Sequence, residues 1–281
     1  MRRIKSHTLT KLTYFKKYIY AYLNVTKRLP ERYYIDAFAG SGKCILCDDA
    51  SCHSKGGNRC ISCGKGKLQD GSPLIVLKLQ NSFTGYVLIE LSKPIFGFLK
   101  KTIIEEIGPE RIEKIDLINE DSNIFLKDIY KRILYKSNYA SFLFFLDPEG
   151  PELYWKTIEF LYRNKTDLLI LYPYDMSLVR LIKNDKPKLD KFYGTTEWLN
   201  IYKSGINPSD KKNGLLKFYL EKLKKIGFKF VVYRQIRKRL REGNALYHLI
   251  LATNCHVAAK IMAEIFDKEL DGQTRLKLYK S

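Results

Sequence analysis

One stretch constrains the fold more than any other: Tyr33-Tyr34-Ile35-Asp36-Ala37-Phe38-Ala39-Gly40-Ser41-Gly42. An apolar run stops at an acid and then turns on two glycines one residue apart. The pattern is that of a buried strand feeding a tight turn, where the backbone comes close to a ligand. Glycine suits that turn because it has no Cβ to stand in the ligand's space. A G-x-G alone also fits an ordinary turn, so the residues after Gly42 decide.

After Gly42 the pattern breaks. Residues 43–70 are polar and hold five of the six cysteines: Cys44, Cys47, Cys52, Cys60 and Cys63. Two pairs, Cys44-x-x-Cys47 and Cys60-x-x-Cys63, flank Cys52-His53. This is zinc-knuckle spacing, so four of the five thiolates are expected to hold Zn(2+). An idle thiol cluster in a loop and an iron–sulfur cluster are the alternatives. With so few apolar residues, the segment is expected to owe its order to metal. The normal order resumes at Gly71, with Ser72 as helix N-cap, Pro73 as first helical residue and the helix running to Leu79. Residues 43–70 therefore read as an insertion between a glycine turn and its helix.

The insertion explains a spacing. Tyr86–Leu91 reads as a second strand, with Glu90 near its end. In dinucleotide-type folds an acid there grips ribose hydroxyls about 20 residues past the loop. Glu90 lies further away, and removing 43–70 restores the distance. Lys114–Asn119 reads as a third strand, with Asp121 at its tip. Asp121 either reads an adenine amino group or caps the helix that comes next.

Ser141–Leu146 is an uninterrupted apolar run, as in a central parallel strand covered on both faces. It ends in Asp147-Pro148-Glu149-Gly150. Two carboxylates at the carboxyl end of a central strand stand where open α/β sheets carry active sites; an ordinary turn has the same composition. Asp167–Leu171 is a fifth strand, whose tip residues Tyr172 and Tyr174 either stack a base or pack in the core. Phe228–Tyr233 and Ala245–Thr253 alternate as an antiparallel pair at the sheet edge. Arg234–Arg241 between them is the densest basic run, either a phosphate-binding loop or a solvated hairpin tip. His248, Cys255 and His256 read as structural.

Ahead of the first strand, apolar side chains at Leu9, Leu12, Phe15, Ile19, Tyr22 and Leu23 predict a helix over 8–23. Thr8 is its expected cap, with Lys11, Lys16 and Lys17 on its other faces. His7, at its entry, is either a surface histidine or a side chain reaching the ligand pocket.

The chain has 281 residues, 45% of them apolar, and a net charge of +20. That length suits one α/β domain with an appendage. The charge favours an anionic partner, nucleic acid, DNA or RNA; a lysine-coated surface without such a partner has the same composition. No apolar run spans a bilayer, and no signal-peptide core succeeds the basic start. A cytoplasmic protein with no membrane partner is the expectation.

The form D-x-F-x-G-x-G resembles the cofactor loop of S-adenosylmethionine-dependent methyltransferases. Five strand–helix units and a late strand pair resemble the seven-stranded methyltransferase sheet. The expected fold is therefore α/β and Rossmann-like: a mostly parallel central sheet with a late antiparallel strand pair, one domain over 1–281, and a Cys-rich insertion at 43–70. More narrowly, five features resemble the three-Cys-motif partner protein family. They are His7-Thr8-Leu9, the loop 36–42, Gly71-Ser72-Pro73-Leu74, the strand ending in Glu90, and Asp147-Pro148-Glu149-Gly150. This likeness runs through nearly the whole chain but does not extend to the cysteine segment. It implies a methyltransferase-like fold and a protein partner carrying a three-Cys motif.

The residues expected against S-adenosylmethionine are Asp36, Phe38, Ala39, Gly40, Gly42, Glu90, Asp121 and Asp147, with Asp147 and Glu149 as the catalytic pair. Amino-methylating nucleic-acid enzymes carry Asp/Asn-Pro-Pro-Tyr at the fourth strand. Here Asp147-Pro148 match, and Glu149-Gly150 replace the rest. The Pro-Cys of cytosine-type enzymes is missing from the region. Methyl transfer to nucleic acid is the expected function. The alternatives are a non-catalytic, partner-dependent nucleic-acid-binding protein of a defence or mobile-element system, and a methyltransferase for protein or small molecules.

Overall fold

The structure is a computed structural model and describes residues 2–47, 66–80, 82–129, 139–163, 165–174, 181–182, 184–237 and 245–267. The first half runs β1 (Arg2–Ile4), α1 (Ser6–Val25), β2 (Arg32–Asp36), β3 (Lys43–Leu46), β4 (Lys67–Asp70), α2 (Ser72–Leu77), β5 (Gly85–Ile89), α3 (Lys93–Glu106), α4 (Pro109–Ile112), β6 (Ile115–Ile118) and α5 (Ser122–Ile129). The second half runs β7 (Ser141–Leu146), α6 (Trp155–Leu161), β8 (Thr166–Pro173), α7 (Lys186–Tyr193), α8 (Trp198–Ser204), α9 (Pro208–Lys225), β9 (Phe230–Arg237), β10 (Ala245–Thr253) and α10 (His256–Asp267).

A seven-stranded sheet has the order β6-β5-β2-β7-β8-β10-β9. β2 pairs in parallel with both β5 and β7, while β10 runs antiparallel to β8 and β9. This is the Rossmann-like sheet with a late antiparallel strand that the sequence predicts. Every residue of β7 and of β8 is buried, as their continuous apolar runs require. Successive strand residues feed opposite cores. Ile35, Phe144 and Leu168 face the side built with Trp155 and Tyr219. Tyr34, Phe145 and Leu169 face the side built with Phe15 and Met262. Strand order reverses between β2 and β7, and a crevice opens at their carboxyl ends.

Four local expectations are corrected. Helix α1 starts at Ser6 with Lys5 as N-cap, so Thr8 lies inside it and caps nothing. Gly71 rather than Ser72 precedes α2, and Ser72 is turned inward and buried. The basic run is not all loop. Arg234 to Arg237 continue β9, and Arg234 is only 3% exposed because its position faces the sheet interior. Residues 238–241 lie outside the described residues.

The fourth correction concerns the insertion, whose ends are paired in a backbone ladder. β3 and β4 form an antiparallel ladder from Lys43↔Asp70 to Leu46↔Lys67, and β1 joins β3 in parallel. Gly71 N donates to Gly42 O at 2.7 Å. The insertion therefore leaves and rejoins the main chain at one point, closed by backbone hydrogen bonds. Residues 48–65, with Cys52, His53, Cys60 and Cys63, lie outside the described residues. No helix among the described residues is long and apolar enough to cross a membrane.

Candidate active site

The glycine loop is fixed from both sides. Ala37 N donates to Phe145 O at 3.0 Å, and Ala39 N donates to Ile89 O at 2.9 Å. Gly40 has φ +64° and Gly42 φ +75°, a region that side chains rarely tolerate. A Cβ on Gly42 would press on Leu99 and Thr102 at 3.3 Å, so this glycine also lets α3 pack. A Cβ on Gly40 would meet nothing within 4 Å: it would stand in the open cleft.

Behind the loop lies Asp36, fully buried. Its carboxylate accepts from Tyr34 Oη at 3.0 Å, from Phe38 N at 3.2 Å, and from the Ser72 hydroxyl. Burial pushes its pKa up to about 7. Hydrogen bonds from Ser72 and Tyr34 oppose the rise, and the charge of Asp147 adds to it. Asp36 thus shapes the loop from behind rather than lining the cleft.

In front of the loop is Glu90, just past β5. Its Oε2 accepts from Gly40 N at 3.0 Å and its Oε1 from Ser92 N at 2.8 Å. Asp121 Oδ1 accepts from Asn123 N at 2.7 Å, which caps α5. Both roles weighed for Asp121 are compatible in space, because this capping residue also faces the cleft. Asn123 Oδ1 then accepts from Tyr154 N at 2.8 Å and Thr157 Oγ1 at 3.0 Å, tying α5 to α6.

The cleft has a volume of about 1570 Å³. Single small-ligand pockets run to roughly 1,000 Å³, so this one has room for a cofactor and part of a substrate. Phe38, Ala39, Gly40, Gly42, Glu90, Asp121, Asp147 and Glu149 all line it. Of the residues expected here, only Asp36 stands back from the wall.

Sequence reasoning missed Lys11. The helical pattern placed it on an outer face, but the residue is only 7% exposed and its Nζ pairs with Asp147 Oδ2 inside the cleft. The one available signal was its place beside buried Leu12 and one turn from Thr8, both of which also line the cleft. The aromatic wall differs too. Tyr172 is buried and bonds Tyr193 Oη at 2.8 Å, and the Tyr174 ring packs on His248 at 4.5 Å. Both are core side chains. The rings on the cleft, besides Phe38, are Phe98, Tyr154 and Tyr247.

Two of the cysteines proposed for metal are described. Cys44, on β3, is buried with its Sγ 3.7 Å from Gln69 O, and Cys47 is fully buried beyond the strand end. Among the described residues no group of three or more His, Cys, Asp or Glu is arranged to hold a metal ion.

No family model matches the chain, and no curated protein matches it. Solved structures do. Protein LPL1258 from Legionella pneumophila, of the DUF519 family model, is 16% identical with a TM-score of 0.51, covering 89% of this chain and 91% of that one. The methyltransferase domain of bacterial CtHen1 is 11% identical with a TM-score of 0.42, covering 86% of this chain and 100% of that one. M. jannaschii TYW2 in complex with AdoMet is 12% identical with a TM-score of 0.36, covering 84% and 74%. At 16% identity the likeness to LPL1258 is one of fold alone.

Proposed function

We propose that the chain is an S-adenosylmethionine-dependent methyltransferase acting on nucleic acid. One observation carries the reading. The Gly40–Gly42 turn and the Glu90 carboxylate meet at the carboxyl end of β2 and share a cleft with Asp147 and Glu149. Bare backbone at Gly40 leaves room for the cofactor. Glu90 accepts hydrogen bonds from ribose hydroxyls, and Asp121 accepts one from the adenine amino group. The cofactor, when bound, supplies an activated methyl group. Asp147 and Glu149 orient the acceptor, and catalysis is mainly positioning and exclusion of water.

The net charge of +20 supports an anionic acceptor. Lys188 and Lys191 of α7, on the cleft wall, give that charge a place beside the site. The Cys-x-x-Cys spacing supports one zinc held by four of Cys44, Cys47, Cys52, Cys60 and Cys63.

A second reading, nucleic-acid binding without methyl transfer, is favoured by Glu149-Gly150 standing where amino-methylating enzymes carry proline and an aromatic ring. The test is transfer of labelled methyl from S-adenosylmethionine to RNA, DNA and protein. Cofactor binding without transfer to any of them favours the second reading.

A further inference from the structure

We propose that Tyr154 and Lys191 seat an unpaired base beside the methylation target, so that the acceptor is a single strand of nucleic acid rather than a duplex. The inference rests on the nucleic-acid part of the reading above.

Tyr154 is not the residue that its place in the chain calls for. It is the N-cap of α6, where serine, threonine, aspartate or asparagine normally accepts from the first amides of a helix. Its side chain makes no capping hydrogen bond. Asn123 of α5 binds this helix start instead, accepting from Tyr154 N at 2.8 Å and Thr157 Oγ1 at 3.0 Å. The core takes the next residue: Trp155 is 1% exposed, whereas Tyr154 is half-buried and lines the cleft. A ring that serves neither the cap nor the core points to the cleft.

The ring stands on a fixed backbone. Besides the bond from its amide to Asn123, Tyr154 O accepts from Thr157 N at 3.0 Å and Ile158 N at 3.3 Å. A platform held on both sides has little freedom to lose when a base stacks on it.

Basic side chains meet the ring. α7 turns Leu189, Phe192 and Tyr193 into the core and lays Lys188 and Lys191, one turn apart, on the cleft wall. Lys191 Nζ lies 5.3 Å from the centre of the Tyr154 ring. Among the described residues no carboxylate pairs with Lys191, and Lys188 reaches Glu152 Oε1 only at 4.0 Å. A base stacked on a ring is held more strongly than an exposed ammonium over it. The base therefore takes the ring, and Lys191 turns to the phosphate.

The topology gives this strand a wall of its own. Tyr154 and Lys191 belong to elements that follow β7 and β8, on one side of the switch point. Gly40 and Glu90 follow β2 and β5, on the other. Lysines alone would hold the phosphates of a duplex as well as those of a single strand. The ring makes the choice, because bases inside a duplex are stacked on both faces and only an unpaired base can offer one.

The test measures binding of the full chain to a fluorescent oligonucleotide of mixed sequence, by anisotropy over a range of salt. The probe is made as RNA and as DNA, each single-stranded and as the matching duplex. Wild type should bind the single strand, in at least one of the two sugars, about tenfold tighter than the duplex. Tyr154→Ala should weaken single-strand binding by about 5- to 150-fold, the worth of one base–ring stack, with the salt slope unchanged. Tyr154→Phe keeps the ring and should bind like wild type. Lys191→Gln should instead flatten the slope of log affinity against log salt by about 0.7, one phosphate contact. Cofactor affinity, read by calorimetry, should be unchanged in all three variants.

Duplex bound as tightly as single strand by wild type, or wild-type strand affinity in a folded Tyr154→Ala, overturns the inference and leaves the nucleic-acid reading in place. Loss of cofactor affinity in place of strand affinity also overturns it. If wild type binds neither form, that reading falls and the inference with it. If Tyr154→Ala does not fold, Tyr154→Leu, which keeps an apolar side chain without the ring face, must show the same loss, and wild-type affinity in it counts against the inference.

Discussion

The amide of Gly40 donates to the carboxylate of Glu90 at 3.0 Å, across fifty positions of sequence. Without residues 43–70 the separation would be near the twenty or so that dinucleotide folds use between loop and acid. The hairpin stem supplies the reason the contact survives the insertion. Gly42 and Gly71 are hydrogen-bonded to each other, so the chain leaves and returns without displacing the loop.

Glu90→Ala should weaken S-adenosylmethionine binding by about 1.5–3 kcal/mol, the worth of a hydrogen bond to a charged acceptor. Calorimetry reads it directly. Glu90 also holds Gly40 N and Ser92 N, so the variant should lose some thermal stability as well. Cofactor affinity equal to wild type would remove Glu90 from the site.

Asp36 predicts a pH dependence of stability. Its folded pKa is about 7 against an ordinary 3.8, raised first by burial. Between those values the folded state holds a proton that the unfolded chain has released. Stability from this group therefore falls as pH rises from about 4 to 7. Asp36→Asn keeps an acceptor for Phe38 N and removes the titration. Melting temperature across this range should fall less in the variant than in wild type. Asp167, raised to about 6 by burial, acts the same way in both proteins and cancels in the comparison. His248, lowered to about 3 by burial, acts in the opposite direction and cancels too.

Neutralising Arg237, Lys238, Arg239 and Arg241 together should flatten the salt dependence of nucleic-acid binding. The slope of log affinity against log salt should change by about 0.9 per lost phosphate contact on duplex DNA, or about 0.7 on single strands. Arg234 is left out of the set because it is buried in β9. An unchanged slope would make this segment an ordinary solvated tip.

Protein purified without chelator should carry one zinc per chain, with Zn–S distances of about 2.3 Å by X-ray absorption. Cys60→Ser should lower the zinc content and weaken substrate binding more than cofactor binding. The β3–β4 stem should persist, because its ladder is made of backbone hydrogen bonds. Zinc and iron both below about a tenth of an equivalent would end the metal proposal.

The main sheet was legible because its strands are apolar runs closed by turn residues, and burial on both faces permits little else at 141–146. The glycine loop and Glu90 were legible because their chemistry is written in residue type and spacing. The hairpin stem was not. Lys43–Leu46 and Lys67–Asp70 are only four residues each, and their pairing partners lie over twenty residues apart or at the N-terminus. Lys11 was not legible either. A helical pattern puts lysine outside by default, and only the approach of Asp147 from far along the chain gives it a buried place. The tip tyrosines were ambiguous because residue type does not say whether a ring faces core or cleft.

Cofactor binding at the glycine loop underlies every functional statement made of this chain, and titration of wild type and Gly40→Val with S-adenosylmethionine measures it. One cofactor should bind per wild-type chain. None should bind to the variant, whose added side chain would occupy the bare wall of the cleft. Both proteins should be folded by circular dichroism. No heat of binding to wild type at millimolar cofactor, or equal binding to both, would contradict a cofactor site at this loop.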